Sequence, residues 1–147
     1  MSAITLRFLA EPSTVNFGGK VHGGTVMKWI DEAGYACATS WAKRYCVTVF
    51  VSGIRFHRPI RIGELVEVEA RLAYTGNTSM AIAVEVRSGD IKTGHLHRTT
   101  ECLIVFAGVN SDGEPVPVDK WEPQTPGEVA LAARAKAQLD AARGAGA

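Results

Sequence analysis

The stretch NFGGKVHGGTVMKWIDEAGYACATSW, residues 16–41, decides the fold, because it is a glycine-rich loop running straight into one long helix. The loop begins at Glu11 and carries Pro12, Asn16 and four glycines, which is turn chemistry. From Gly24 to about Tyr45, the residues Val26, Ile30, Ala33, Cys37 and Trp41 recur at steps of three and four, the period of one helix face. The middle of this helix (Ala33, Gly34, Ala36, Cys37, Ala38) is small or apolar nearly all round. Little of it is meant for water, so something must wrap it.

Working outward, residues 3–10 supply a short first strand. Four strand-like runs follow the helix: CVTVFVSGIRF (46–56), LVEVEARLAYTG (65–76), TSMAIAVEVRSG (78–89) and HRTTECLIVFAGV (97–109). In the second of these, Val66, Val68, Ala70 and Leu72 alternate with Glu67, Glu69 and Arg71, so one face is buried and the other wet. The joins (Arg58-Pro59 leading to GELVE, Gly76-Asn77, and SGDIKTG) favour hairpins and antiparallel order. The expectation is an α+β fold, one long central helix in a curved antiparallel sheet of about five strands. Its open edges are best protected by pairing across a two-fold axis. After Asp112-Gly113 comes a Pro-rich strap and then an Ala-rich stretch that predicts a fraying terminal helix. Residues 1–119 are therefore expected to form a single domain, with strap and helix at 120–147.

A length of 147 residues with 46% hydrophobic and 21% charged residues suits one compact core. A net charge of +1 without long runs of one sign leaves no footprint for nucleic acid or an anionic membrane. No signal-peptide pattern opens the chain and no segment approaches a membrane span, so a cytoplasmic location is expected. Cys37, Cys46 and Cys102 lie in apolar segments without CxxC spacing, and buried reduced thiols are expected.

The chemistry-bearing segment is the loop from Asn16 to Gly24 with Asp31, which the pattern places in the second helical turn. The first amides of a helix have no internal partners and suit a developing oxyanion, and Gly23 and Gly24 let a carbonyl approach that backbone. Spacing alone leaves Asp31 with two readings: a reactive carboxylate, or a partner of Lys28 on the same helix. Glu32, four residues after Lys28, reads as a surface acid. The His22 side chain reads as shaping the loop. His95 and His97 share one strand face but lack a third metal ligand nearby in sequence.

Taken together, NFGGKVHGGTVMKWIDEA, VTVFVSGIRFHRP, IGELV, YTGNTSM and VNSDGEPVPV, in this order over residues 12–119, resemble the acyl-CoA thioesterases of the hotdog superfamily, in particular the broad-specificity bacterial and brain-type acyl-CoA hydrolases. The resemblance implies that Asn16 and Asp31 are catalytic. It places the oxyanion-binding amides at His22 and Gly23, with Gly24 beside them. It further implies that Arg58, Thr78 and Ser79 lie near the CoA channel. Asn16 of one subunit would face Asp31 of the other in a homodimer, itself part of a trimer of dimers. Asp31 would then act as general base or as nucleophile on the thioester of acyl-CoA, with CoA as product and no metal or redox cofactor. Two other readings stand beside this one. A non-catalytic acyl-CoA binding protein would not need Asp31 together with Asn16, and a hotdog dehydratase would need a catalytic His loop that the sequence lacks.

Overall fold

A computed structural model describes residues 2–16 and 18–146. Strand β1 (Ala3–Leu9) leads through a single turn of 3-10 helix and the glycine loop into helix α1 (Gly23–Ala42). Strands β2 (Cys46–Phe56), β3 (Leu65–Thr75), β4 (Ser79–Asp90) and β5 (His95–Gly108) follow, and helix α2 (Pro126–Gly146) closes the chain. All five strands form one antiparallel sheet in the order β1-β3-β4-β5-β2, with α1 against its inner face. This is the hotdog arrangement the sequence predicts.

The helix stops at Ala42, earlier than its periodicity implied, because Lys43 takes a left-handed conformation and caps it by donating its backbone N–H to Thr39 O. Ile30, Ala33, Cys37 and Ala38 are fully buried against Val66, Val68, Ile82, Ile104 and Phe106. Gly34 makes the close approach possible: a Cβ there would lie 3.0 Å from the Phe106 ring and 3.2 Å from Ile104. The wrapping is one-sided, however, and Asp31, Glu32 and Tyr35 stay exposed along a bare face of α1.

The segment after β2 departs from the expected hairpin. β2 pairs with β5 at the sheet edge, not with β3. The eight residues 57–64 are too long for a tight turn, and Pro59 forbids strand continuation. They cross the end of the sheet instead, tied down where the His57 and Arg58 amides both donate to Thr99 O and the Val21 amide donates to Ile60 O.

The tail is more firmly held than its composition suggests. In the strap, the Trp41 indole donates to Asp119 O at 2.7 Å, the Val118 amide to Asn77 O, and the Trp121 amide to the Thr75 hydroxyl. Helix α2 then packs on the outer face of the sheet, burying Ala135 and Leu139 against Ala73, Ala81, Leu103 and Val105. Gln138 rests against a bulge in β2, where Gly53 has φ +68° and a Cβ would fall 1.9 Å from the Gln138 amide nitrogen. The charges on the outer face bind one another: Glu67 accepts from Arg7 at 2.6 Å and from Arg87, and Glu69 accepts from Arg71 at 3.0 Å. Among the described residues no helix is long and apolar enough to cross a membrane.

Candidate active site

Asn16 is held by its own loop. Its side-chain carbonyl Oδ1 accepts the amides of Gly18 at 2.9 Å and Lys20 at 3.2 Å. Amides only donate, so this pairing fixes which end of the side chain is oxygen. The Asn16 amide nitrogen is left as a donor without a partner among the described residues.

The helix start lies just beyond. The His22 amide donates to Thr14 O, and His22 O accepts from Thr25 and Val26. His22 therefore does not offer the oxyanion donor expected of it. The two amides without a partner among the described residues are those of Gly23 and Gly24. Phe56, at the far end of β2, closes one side, its ring carbons 3.8 Å from where a Gly23 Cβ would stand. At Gly24 a Cβ would meet nothing within 4 Å.

Asp31 is the ninth residue of α1 and so sits in its third turn, not the second. At 1.5 Å per residue it is about 12 Å along the axis from Gly23, too far for both to touch one carbonyl group. Lys28 pairs with Glu32 at 3.9 Å, which leaves Asp31 to another partner. That partner is Thr48, whose hydroxyl donates to Asp31 Oδ1 at 3.0 Å. Sequence reasoning missed Thr48, although a lone hydroxyl in the apolar run VTVFV was the available signal. The same strand, bulged between Thr48 and Phe50 and again between Ser52 and Arg55, carries Thr48 beside Asp31 and Phe56 beside Gly23.

The remaining candidates divide the same way. Arg58 follows Phe56 at the glycine-loop end of the sheet, and its guanidinium has no ion-pair partner among the described residues. Thr78 and Ser79 lie at the opposite end, where Thr78 O accepts from Gly108 and Ser79 pairs with Ala107. Phe56 pairs with Thr100 on β5, so the two levels are seven residues apart, roughly 23 Å of strand. The candidate residues thus fall into two groups at different levels of the sheet, Asn16, Gly23, Gly24 and Arg58 at one, and Asp31, Thr48, Thr78 and Ser79 at the other.

A recess of ≈ 1000 Å³ lies between α2 and the outer face of the sheet and includes none of these residues. On the candidate side Asp31 and the β2 edge stand exposed. That edge strand exposes apolar groups: Val49 (55%), Phe50 (40%), Ile54 (40%) and Phe56 (55%). Such a row of unpaired backbone with apolar side chains invites another strand.

His95 and His97 stack edge to face at 4.5 Å, and among the described residues no third metal-ligating group joins them. Burial, the Arg58 guanidinium and His95 together hold the His97 imidazole below its ordinary pKa. The cysteines are buried free thiols, and burial pushes Cys37 up to about 11 and Cys102 up to about 12. A buried thiol held in its protonated form is a poor nucleophile.

A hotdog sheet round one long helix, with a glycine-rich loop at the helix start and a carboxylate in its third turn, places the chain in a class of small α+β enzymes, the thioesterases. Residues 18–95 match the model of the thioesterase superfamily, and the chain belongs to that family. It is 35% identical over 126 residues to the protein VdlD of Helicobacter pylori, covering 86% of this chain and 72% of that one. It is 35% identical over 118 residues to the acyl-CoA thioester hydrolase YciA of Salmonella typhimurium, covering 78% and 89%. Its fold superposes on the crystal structure of a hexameric acyl-CoA thioesterase with a TM-score of 0.94 at 31% identity, covering 99% of this chain and 93% of that one.

Proposed function

We propose that this chain is an acyl-CoA thioester hydrolase whose active site is completed by a second copy of itself. The observation that carries the reading is the separation of the two groups, Gly23 and Gly24 at the start of α1 and Asp31 in its third turn, which we read as two half-sites. A two-fold axis that pairs the β2 edges would set the helices side by side and antiparallel, bringing Asn16, Gly23 and Gly24 of one protomer to Asp31 and Thr48 of its partner. It would also cover the apolar β2 edge and bring the two ends of the sheet, with Arg58 and with Thr78 and Ser79, to one substrate. The resemblance of the chain to hexameric relatives supports three such dimers in one assembly.

In this site the thioester carbonyl accepts from the Gly23 and Gly24 amides and the Asn16 amide nitrogen, donors already in place when charge develops on the oxygen. Asp31 keeps one carboxylate oxygen on Thr48 and takes a proton from water with the other. The water oxygen bonds to the carbonyl carbon, the tetrahedral intermediate collapses, and the C–S bond breaks. The thiolate of CoA then takes up the proton held by Asp31, leaving free acid and CoA. A thiolate is a good leaving group, so the step needs neither a Ser-His pair nor a metal. Arg58 suits a phosphate of the CoA nucleotide.

The reading is tested by following thiol release from a series of acyl-CoAs. Asp31→Asn and Asn16→Ala are each expected to lower kcat by about 100-fold or more while leaving fold and assembly intact. Wild-type protein that binds acyl-CoA but releases no thiol would make it a carrier. Full turnover in either variant would remove that residue from the mechanism.

A further inference from the structure

Two side-chain rungs join α1 to the beginning of β2. One is polar, the Thr48 hydroxyl donating to Asp31 at 3.0 Å. The other is aromatic: the rings of Tyr35 and Tyr45 meet edge to face, centroids 6.1 Å apart at 65°. Tyr35 follows Asp31 by four residues, so the two share a helix face and their Cβ atoms are about 5–6 Å apart. Toward the helix start the same face offers no such surface. Met27 packs into the core and Lys28 is exposed and paired with Glu32.

The aromatic rung is open, with Tyr35 36% and Tyr45 62% exposed. Neither hydroxyl has a hydrogen-bond partner among the described residues, and the rings meet each other by their edges. A thioester whose carbonyl lies at Asp31 has two arms to place. The CoA arm is long, polar and anionic, whereas the acyl arm is apolar and gains from ring surface. Within one helical turn of Asp31 on that face, the tyrosine pair offers such a surface.

We infer that Tyr35 and Tyr45 line the acyl-binding half of the site and set how strongly turnover responds to chain length. This rests on the hydrolase reading above. The ligand is the alkyl chain of the substrate, lying across the ring faces as it leaves the carbonyl carbon.

The test is thiol release from butanoyl-, octanoyl- and dodecanoyl-CoA by the full-length protein and by Tyr35→Ala, Tyr45→Ala and Tyr35→Phe. The readout is the ratio of kcat/KM for the longest substrate to that for the shortest. Losing contact with about two methylenes is expected to lower the ratio about tenfold in each alanine variant. The phenylalanine variant should keep it, because the ring rather than the hydroxyl makes the contact. Should Tyr35→Ala disturb assembly, Tyr45→Ala still decides, since Tyr45 lies in the connection between α1 and β2 outside the core. An unchanged ratio would overturn the inference, as would a rise, which would make the rings a plug. Wild-type protein that releases no thiol at any chain length would overturn the hydrolase reading and this inference with it.

Discussion

Replacing Gly24 by Ala separates stability from catalysis in a single residue. Gly24 is the second residue of α1, has no positive φ, and a Cβ there would meet nothing of its own chain within 4 Å. The folded protein therefore has room for the methyl group. Alanine also limits the unfolded chain and favours the helix, so the substitution should stabilise by up to about 1 kcal/mol. For a domain of this size that raises Tm by roughly 3 °C. The same methyl stands where a carbonyl must approach the Gly24 amide. Loss of one such donor costs about 100-fold in rate, or about 2.7 kcal/mol of transition-state stabilisation. Thermal unfolding and thiol release on one preparation measure both effects. They carry opposite signs, so partial unfolding cannot mimic the outcome. A variant as active as the wild type would refute the assignment of this amide, and a lower Tm would refute the reading of the local geometry.

Thr48→Ala should lower kcat about tenfold by freeing Asp31 to rotate, and Thr48→Ser should restore most of it by keeping the hydroxyl; equal losses in both would mean that packing, not the bond, matters. Glu67 is held below the ordinary carboxylate range, first by its bond to Arg7 and then by that to Arg87. Its contribution to stability is thus present above the ordinary carboxylate pKa and lost as pH falls through the lowered folded value. Urea unfolding should accordingly show a shallower acid decline in Glu67→Gln than in the wild type, and parallel declines would contradict the pairing. The thiols of Cys37, Cys46 and Cys102 are all pushed up by burial. Native protein at pH 8 should react slowly with a colorimetric thiol reagent and unfolded protein quickly, and a fast native reaction would show an exposed thiolate.

The helix, the strands and their antiparallel order were legible because Val26, Ile30, Ala33 and Cys37 repeat at the helical period and Val66 to Leu72 at the strand period. What periodicity does not encode is which strands become neighbours. The crossing at 57–64 depends on Thr99 O collecting two amides from a distant segment, a contact no local pattern announces. The Ala-rich tail gave little amphipathic signal, since alanine packs against Ala73 and Ala81 as readily as it faces water. The loop and Asp31 were legible as a polar cluster, but sequence proximity hid the roughly 12 Å of helix between Gly23 and Asp31. Thr48 was easily passed over: its one signal is a lone hydroxyl, and a threonine in a β-branched run looks much like any other strand residue. The spent amide of His22 was hidden too, for its partner is a carbonyl of the 3-10 turn.

The central claim, that each site takes Asn16 from one protomer and Asp31 from its partner, is tested most directly by subunit complementation. Asp31→Asn and Asn16→Ala proteins, each inactive alone, are mixed in equal amounts, dissociated and allowed to reassociate. In a mixed dimer one site carries both native residues and the other neither, and half of randomly formed dimers are mixed, so about a quarter of wild-type thiol release should return. No recovery, from a mixture shown to contain mixed dimers, would contradict the shared site and place both residues within one protomer.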